Sequence, residues 1–402
     1  MEQPVKLITI VCIASICSMV TIALWPVFLV ELGNNWNLTN TDKGLISGAY
    51  FVGYVLATPI LVGLTDKIDA KKVFLSGCLV GLLGNFGFFL FVNDFWTALI
   101  SWSLVGAGLA GTYMPGLQIL NARLQSNLRV RAVPWYTSCF GIGTGLSFAL
   151  MGYFLVKYDF RIASLFGMIF SIVSFLMVIF FVSNRKVGNL NSTNIRHPLD
   201  LRPAFKKKLT MSYILSYGAH TFELFAFRTW SFALFFFIAS KATIKISIST
   251  ITIIIGLITL SGMVASLVGA KLCLYHKRNM VISLIGLFTV GTAIMAALLL
   301  NGPFWISICL LWLYNIGIML DSGALTAGSV ESSDADSRGA ILAVHSMFGF
   351  FGGALGGPVV GFVLDKSKGE VDFQTWMLAL MTMSIGSLIV FFIQVRFWPI
   401  RE

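Results

Sequence analysis

The sequence predicts an all-α integral membrane protein with twelve transmembrane helices in two pseudo-symmetric bundles of six, and three observations lead to this fold class. Hydrophobic residues make up 57% of the 402 residues and charged residues only 11%, less than half of the roughly 25% that soluble domains carry. Apolar runs of about 20 residues, enough to cross a bilayer as helix, recur along the whole chain. One long polar stretch, 184–209, divides these runs into six and six.

The predicted spans follow the apolar runs directly. From Leu7 to Val30 the chain carries no charge, and this run is longer than the roughly 7–15 residues of a signal-peptide core, so we expect a retained span there. All six cysteines lie in or at the end of an apolar run without CxxC spacing, which is typical of small core side chains. The twelve spans are predicted at residues 7–30, 44–64, 73–92, 95–120, 134–156, 162–183, 210–239, 246–271, 280–301, 303–326, 340–364 and 373–396.

An internal similarity supports the predicted domains. The two halves match weakly at an offset of 208 residues, where 138-SCFGIGTG-145 aligns with 346-SMFGFFGG-353. A duplicated helix bundle is a common plan for secondary transporters. We therefore predict an N-terminal six-helix bundle at 1–183, a cytoplasmic linker at 184–209 and a C-terminal six-helix bundle at 210–402.

The basic residues set the predicted orientation. Of the 28 Lys and Arg side chains, twenty fall on the side of the N-terminus, one (Arg228) falls within a span and seven fall on the opposite side. By the positive-inside rule we expect both termini in the cytoplasm and the protein in the cytoplasmic (inner) membrane. The net charge of +11 is then a topology signal and does not indicate nucleic-acid binding. The seven are Lys43, Lys157, Arg161, Lys241, Lys245, Lys366 and Lys368.

The segment after the second span resembles a known family signature. The run 48-GAYFVGYVLATPILVGLTDKIDAKKV-73 is similar to the signature of the major facilitator superfamily, and the two-bundle layout extends the resemblance over essentially the whole chain. The resemblance implies the superfamily fold and alternating access, with this loop acting as a gate. The signature positions, which we take as gating candidates, are Gly63, Asp66, Lys67, Lys71 and Lys72.

Three features depart from the patterns of that family. Asp69 stands at or near a position where the signature has glycine, and Leu272 replaces the acid in the second-half copy. Trp102 occupies the place of an arginine that proton-coupled members often carry in the fourth span. The Gly-Pro pair of drug antiporters is absent from the fifth span, although Gly357-Pro358 occurs in the eleventh.

Ionisable side chains deep within the spans are concentrated in the second half. His220, Glu223 and Arg228 lie in the seventh span, Asp321 in the tenth and His345 in the eleventh. Because such a group is costly in a bilayer unless it pairs or faces water, each is a functional-site hypothesis. At about 100° per residue the three groups of the seventh span fall within one arc of a helix, so we expect them to reach one water-filled cavity.

Two interpretations of the seventh span stay open. In the functional one, Arg228 binds a carboxylate or similar oxyanion through its planar guanidinium. Glu223 then takes up and releases a proton, which His220 relays. In the other, Glu223 and Arg228 pair with neighbouring helices and only hold the bundle together.

The cytoplasmic ends of the tenth and eleventh spans add further candidates. Asp321 and His345 are candidates for proton coupling. Arg338, at the start of the eleventh span, is either a structural partner of Asp321 or part of the gate.

Aromatic and amide side chains supply the remaining substrate-binding candidates. Each of them is also an ordinary helix-packing residue, and Pro26 predicts a kink in the first span. The candidates are Trp25, Tyr50, Tyr54, Tyr113, Gln118 and Tyr136 in the first half and Tyr217 in the second.

These observations predict a secondary active transporter that moves a small organic anion or zwitterion, coupled to protons, with sodium as the alternative ion. No metal, phosphate-loop or nucleophile pattern is visible, so we expect no enzyme activity, cofactor or metal. Efflux of amphipathic cations, with Glu223 as the cation site, is the main alternative, and a non-transporting receptor or scaffold is a distant one. The expected partners are a small solute, a coupling proton and the lipid bilayer, with no nucleic acid and no second protomer.

Overall fold

The chain is described by a computed structural model at residues 4–65, 67–185, 202–333 and 338–397, without the side chains of residues 62, 126, 127, 130, 131, 203 and 338–340. Its α-helices, with short 3₁₀ turns at Arg202–Phe205 and Gly369–Val371, are α1 (Pro4–Ser18), α2 (Leu24–Asn35), α3 (Asn40–Leu64), α4 (Ala70–Leu90), α5 (Phe95–Arg123), α6 (Ser126–Lys157), α7 (Phe160–Phe181), α8 (Lys208–Lys241), α9 (Ile248–Tyr275), α10 (Arg278–Leu298), α11 (Phe304–Leu320), α12 (Ser322–Glu331), α13 (Arg338–Lys366) and α14 (Phe373–Val395).

The observed helices agree with most of the predicted spans. Within the described residues, eleven helical stretches are long and apolar enough to cross a membrane, and Pro4–Ser18 is a shorter apolar helix. The predicted all-helical membrane fold is therefore confirmed. The first and tenth predicted spans differ from the prediction in one respect, because each is divided into two helices.

The chain divides into two compact units. One comprises Met1–Leu32 with Ala49–Ile195, and the other comprises Gly33–Gly48 with Arg196–Glu402. Helix α3 therefore begins in the second unit and continues in the first. The predicted domain boundaries remain a prediction, and most of the predicted linker lies outside the described residues.

Short polar side chains fix where several helices begin. Asp94 accepts a hydrogen bond from the N–H of Thr97 at 2.8 Å, and the two residues form a capping box at the start of α5. Asp159, Ser247 and Asp372 accept from the N–H three residues further on, at 2.9, 3.1 and 3.1 Å, at the starts of α7, α9 and α14. Each cap satisfies an N–H group that the start of a helix leaves unpaired.

The first predicted span is interrupted between α1 and α2. Pro26, in the first turn of α2, has no N–H for the carbonyl four residues earlier, and its ring crowds that carbonyl. Ser147 of α6 bonds the interrupted backbone, because its hydroxyl accepts from the N–H of Ala23 at 3.0 Å and donates to the carbonyl of Val20 at 2.7 Å. The kink that Pro26 predicts is therefore a break a few residues before the proline.

Removing this bridge should destabilise the first unit. In Ser147→Ala two buried backbone groups lose their partner, so the free energy of unfolding in detergent should fall by about 1–3 kcal/mol. The matched control is Ser171→Ala, because the Ser171 hydroxyl donates only to the carbonyl of Gly167 in its own helix. An equal loss in both variants would show that the bridge contributes nothing of its own.

The tenth predicted span is interrupted at Asp321, which separates α11 from α12. The break is slight, because the N–H of Leu325 already donates to the carbonyl of Asp321 at 2.9 Å. The carboxylate of Asp321 does not cap α12. Its oxygens therefore remain available to neighbouring helices, as in the interrupted helices that bind solutes or ions in other transporters.

Small residues let α13 pack closely on α8. A Cβ added to Gly352 would lie 2.1 Å from the carbonyl oxygen of Gly218, so only glycine fits there. The hydroxyl of Thr221 donates to the carbonyl of Gly349 at 2.6 Å. This close packing is the small-residue mode of helix association in membranes. It holds α8, which carries four of the predicted site residues, against α13.

Candidate functional site

Arg228 lies half-buried on α8. Its guanidinium carbon is 5.5 Å from the centre of the Phe225 ring, a distance typical of a cation–π contact. The buried Nε has no hydrogen-bond partner within the described part of the chain, and the ion pairs found there involve other residues. A guanidinium with unused donors keeps its capacity to bind an oxyanion.

Glu223 is fully buried one turn earlier on the same helix. The hydroxyl of Tyr314 in α11 donates to its Oε1 at 2.7 Å, and the N–H of Ser387 in α14 donates to its Oε2 at 2.5 Å. A Cβ added to Gly386 would lie 2.7 Å from the Cβ of Glu223, so α14 approaches α8 closely at this point. Two neutral donors thus hold the carboxyl group, and none of the ion pairs in the described residues includes it.

His220 is at the centre of a buried polar cluster. Its Nδ1 lies 2.7 Å from Oδ1 of Asp321, with 1% and 4% of the two side chains exposed. The Tyr217 ring stacks between two imidazoles, 5.6 Å from the His220 ring and 3.8 Å from the His345 ring. His345 Nε2 lies 3.2 Å from the hydroxyl of Thr326. We name these five residues the His220 cluster.

The structure therefore gives the three ionisable groups of α8 different surroundings. His220 belongs to the His220 cluster, Glu223 is enclosed by α11 and α14, and Arg228 lies against an aromatic ring. Their described contacts are not shared, and the common cavity predicted for the three groups remains a prediction. The described partner of Asp321 is His220, and the side chain of Arg338, the partner considered from the sequence, lies outside the described residues.

Three aromatic candidates of the first half lie in the core of the first unit. The exposed fractions of Trp25, Tyr50 and Tyr54 are 0%, 3% and 1%. The Tyr50 ring lies 5.2 Å from the Trp102 ring. Packing accounts for the burial of these side chains, and their predicted contact with substrate remains a prediction.

The other first-half candidates have mixed surroundings. The hydroxyl of Tyr136 accepts from Ser15 at 3.2 Å and donates to the carbonyl of Tyr113 at 2.6 Å. The rings of Tyr113 and Tyr136 also stack, with their centres 5.6 Å apart. Gln118 is exposed. The hydroxyl of Tyr136 thus joins three helices, which is a structural use of this group.

Asp69 organises the loop that carries the family signature. One Nη of Arg123 donates to both of its carboxylate oxygens at 2.8 Å, and the N–H of Arg185 donates to Oδ2 at 2.7 Å. Asp69 also caps α4 by accepting from the N–H of Lys71 at 3.1 Å. Sequence reasoning treated Asp69 only as a departure from the signature, although an acid just before a helix signals a cap. We name Asp69, Lys71, Arg123 and Arg185 the Asp69 cluster.

Two basic side chains of this cluster cap the ends of helices. Lys71 Nζ donates to the carbonyls of Val182 at 2.6 Å and Ile179 at 3.0 Å, beyond and within the last turn of α7. Arg185 donates to the carbonyl of Ala122 near the end of α5. Cations at the C-terminal ends of helices satisfy otherwise unpaired carbonyls, so the cluster joins α4, α5 and α7.

The remaining gating candidates of the loop have fewer contacts. Lys67 and Lys72 are exposed. A Cβ added to Gly63 would meet nothing within 4 Å, so no described atom of another segment approaches this glycine closely. Asp66 lies outside the described residues.

The second unit carries an ion pair in the equivalent place, with the signs exchanged. Arg278, at the start of α10, donates to Glu331, at the end of α12, at 2.7 Å. Glu331 corresponds to Arg123 at the offset of 208 found in the sequence. Its side chain is 62% exposed, compared with 7% for Arg123, so the pair of the first unit is the more strongly desolvated one.

The Asp69 carboxyl has a lowered pKa. Burial by itself would raise this pKa, but the hydrogen bonds from Arg123, Arg185 and Lys71 and the positive charge of Arg123 outweigh it. Because the folded-state pKa lies below the unfolded value of about 4, the stabilisation is fully present above that value. It is lost as the pH falls through the lowered pKa.

Asp69→Asn should therefore have a pH-dependent effect on stability. At pH 7 it leaves Arg123 without its buried partner, and we expect a loss of about 3 kcal/mol in the free energy of unfolding. The difference from the wild type should shrink as the pH is lowered below about 4. Thermal unfolding in detergent across this pH range measures the difference in stability. Glu331→Gln is the matched control and should lose much less stability, because the Glu331 side chain is 62% exposed. A difference that stays constant with pH would exclude the ionised Asp69 as its source.

Residues 10–357, most of the chain, match the family model described as Major Facilitator Superfamily. The chain belongs to this superfamily. The resemblance predicted from the signature loop and the two-half layout is thereby confirmed, and the chain is a multi-pass membrane protein of the major facilitator superfamily fold.

Solved structures show the same fold. A bacterial homologue of the human lysosomal transporter Spinster, in an inward-facing and unoccupied conformation, aligns over 99% of this chain and 98% of its own with a TM-score of 0.75 and 14% identity. The nucleoside transporter NupG aligns over 100% of both chains with a TM-score of 0.73 and 15% identity. At these identities the similarity concerns the superfamily fold alone.

Curated relatives match in sequence over shorter stretches. The quinolone resistance protein NorA of Staphylococcus aureus (strain N315) is 24% identical over 207 residues, which is 50% of this chain and 52% of that protein. The probable sphingolipid transporter spinster homolog 1 of Arabidopsis thaliana is 35% identical over 75 residues, 19% of this chain and 15% of that protein. This superfamily member thus spans about half the length, or less, of the curated relatives that it matches.

Proposed function

We propose that this transporter moves a small organic anion or zwitterion, bound through a carboxylate or a similar oxyanion, and that the movement is coupled to protons. Arg228 carries the proposal. It lies within a helix that is apolar enough to cross the membrane, and its Nε has no partner in the described residues. An intramembrane guanidinium without a fixed acid is costly unless a ligand or water satisfies it.

The buried acids of the same unit support this assignment. Glu223 is held by Tyr314 and Ser387, and Asp321 lies against His220. Neither acid forms a described ion pair with Arg228, so the positive charge of the Arg228 guanidinium is available to a ligand. The planar guanidinium favours carboxylate or phosphate groups, which it bonds through two parallel N–H donors.

Glu223 is the proposed proton carrier. It is buried between helices and its described donors are neutral, so binding and release of a proton change the net charge of this region without breaking an ion pair. His220 lies one turn away on α8 and is linked through the His220 cluster to α13. The cluster is a candidate relay because its imidazoles and the Asp321 carboxylate each have atoms that can bind a proton and pass it on.

Efflux of amphipathic cations is the second candidate. The similarity to NorA, a protein named for quinolone resistance, favours the export of drug-like compounds. In that case Glu223 binds the cation and the aromatic side chains around α8 contact its apolar part. The two candidates predict opposite ligand charges. Arg228 would repel a cationic substrate, whereas it would attract an anionic one.

The remaining expectations belong to this proposal. We place both termini in the cytoplasm and the protein in the inner membrane, on the basis of the positive-inside charge distribution. Transport proceeds by alternating access, and the protein acts as a monomer. Its partners are a small solute, a proton and the lipid bilayer.

A thermal-shift screen of the purified protein tests the ligand charge. The anionic probes are succinate, glutamate, benzoate and inorganic phosphate, and the cationic probes are choline, tetraphenylphosphonium and ethidium, each at two pH values. A probe present at about 100 times its Kd adds about 2.7 kcal/mol to the stability of the folded state. We expect at least one anion to raise the unfolding temperature, and stabilisation by lipophilic cations alone would favour the second candidate.

A further inference from the structure

One face of α10 is an exposed apolar stripe that ends in a lysine. Exposed side chains recur along this helix every three or four residues, which is the spacing of a single helix face. Lys277 continues that face about 4.5 Å beyond Met280 along the axis, and it is exposed as well. Within a membrane, an exposed apolar helix face meets the acyl chains, so Lys277 falls at the level of the headgroups. The apolar members of the stripe include Met280, Leu284, Leu287, Phe288, Ile294 and Leu298.

Helix α14 carries a second stripe of the same kind. Its exposed apolar residues share one face, because they too are three or four positions apart. Arg396 directly follows the last residue of α14, keeps helical backbone angles and is exposed. It lies four residues after the last apolar member, so this stripe also ends in a basic side chain. The apolar members are Ile385, Leu388, Ile389 and Phe392.

The two helices pack side by side in opposite directions. A Cβ added to Gly286 of α10 would lie 2.9 Å from the carbonyl oxygen of Ser387 in α14. Nearer the start of α10, the Asn279 amide donates to the Gln394 side chain at 2.8 Å, nearer the end of α14. The start of α10 therefore lies beside the end of α14, which places their two basic residues at the same edge of the second unit. We name Tyr275, Lys277 and Arg396 the α10–α14 edge.

The equivalent loop of the first unit uses its charges differently. At an offset of 206 residues, Asp69 corresponds to Tyr275 and Lys71 corresponds to Lys277. Lys71 is buried and donates to carbonyls at the end of α7, and Asp69 caps α4. In the second unit an exposed tyrosine replaces the acid, and Lys277, the N-cap residue of α10, makes no side-chain cap. The lysine that the first unit uses in its own structure is thus presented to the surroundings in the second.

The charge at this edge is positive. Residues 269–288 and 385–397 contain no Asp or Glu, although they contain four Lys and Arg residues. Arg278 is matched within the protein, because it pairs with Glu331 at 2.7 Å. The ion pairs found among the described residues include neither Lys277 nor Arg396. Both positive charges therefore remain for an anionic partner outside the chain.

We propose that the α10–α14 edge binds the headgroup of an anionic phospholipid, whose acyl chains lie along the two apolar stripes. Lys277 and Arg396 attract the headgroup phosphate, and Tyr275 is an aromatic residue of the type that favours the headgroup level. Each basic group beside an anionic leaflet strengthens binding about fivefold. A zwitterionic lipid offers the same acyl chains without net charge, so charge decides the preference. The site is independent of the substrate and of the transport mechanism.

Lipid titrations followed by native mass spectrometry test the site on the purified full chain in detergent. The probe is dioleoylphosphatidylglycerol, and dioleoylphosphatidylcholine is the neutral reference. We expect the first anionic lipid to bind with an apparent Kd about 25-fold lower than that of the neutral one, since two basic groups contribute about fivefold each. Lys277→Gln and Arg396→Gln should each raise this Kd about fivefold, and the double variant should bind both lipids about equally.

Matched variants locate the site. Lys206→Gln removes an exposed lysine of the same unit that precedes α8, a helix largely buried in the protein, and should leave the Kd unchanged. Lys277→Arg keeps the charge and should keep the affinity. The unfolding temperature without lipid should equal that of the wild type in every variant of the edge, because no described hydrogen bond or ion pair involves these two side chains. Equal binding of both lipids to the wild type, an equal loss in Lys206→Gln, or displacement of the lipid by inorganic phosphate would overturn the proposal.

Discussion

Replacing Arg228 by alanine is expected to weaken binding of the transported anion by about 100-fold or more. The guanidinium offers two charge-assisted hydrogen bonds, and each is worth about 1.5–3 kcal/mol. Their loss shifts the affinity by two orders of magnitude or more, since about 1.4 kcal/mol corresponds to a factor of ten. The measurement is the KM for uptake into proteoliposomes of the anion that gives the largest thermal shift in the screen.

Two further variants make the Arg228 test specific. Arg228→Lys keeps the charge but loses the forked geometry, so an intermediate loss of about tenfold is expected. Arg161→Ala is the matched control, because the Arg161 guanidinium is already occupied by the carbonyls of Phe89 and Val92. It should change stability and leave the KM alone. A KM within about twofold of the wild type in Arg228→Ala would remove this residue from the binding site.

Glu223→Gln is expected to keep substrate binding and to lose proton coupling. The glutamine carbonyl can still accept a hydrogen bond from Tyr314 or Ser387, but the side chain cannot bind or release a proton. A pH difference of one unit stores about 1.4 kcal/mol, enough for about a tenfold accumulation of substrate. We therefore expect that accumulation driven by a pH gradient disappears in this variant, while exchange of substrate at equal pH continues.

Asp321→Asn distinguishes the two possible proton sites of the second unit. It removes the acid that lies against His220 and leaves the contacts of Glu223 in place. If the proton is carried by Glu223, Asp321→Asn slows transport and retains accumulation. The opposite pattern, with accumulation lost in Asp321→Asn and retained in Glu223→Gln, would move the coupling site to the His220 cluster.

The positions of the membrane helices could be predicted from the sequence because each one depends on a local apolar run. The two interruptions, between α1 and α2 and between α11 and α12, could not be predicted equally well. Pro26 indicates a distortion of the first span, but the position of the break also depends on Ser147, which lies more than 120 residues away. Asp321 carries no breaker signal of its own, and its partner His220 lies on another helix.

The candidate site was predictable where charge within an apolar run identifies it. His220, Glu223 and Arg228 stand out in the sequence for that reason. Tyr314 and Ser387, which hold Glu223, do not stand out, because a tyrosine and a backbone N–H are ordinary components of a membrane helix.

Two contacts at helix ends, that of Asp69 with Arg123 and that of Asp365 with the start of α3, could also be predicted only in part from the sequence. Asp69 could have been identified as a helix cap, since it directly precedes α4, but the contact with Arg123 depends on the packing of α4 against α5. The contact of Asp365 with the start of α3 has no local signal, because Thr39 and Asp42 already complete the capping pattern there. Contacts between segments distant in sequence therefore account for what sequence reasoning missed.

The central claim is that one chain couples an anion held by Arg228 to a proton carried by Glu223. The most direct test records both fluxes in one experiment, with proteoliposomes that enclose a pH indicator and receive a gradient of the anion selected by the thermal-shift screen. We predict that the anion gradient moves protons with the wild type, that Glu223→Gln exchanges the anion without moving protons, and that Arg228→Ala moves neither. Anion flux without proton flux in the wild type, or proton flux driven only by lipophilic cations, would contradict the account.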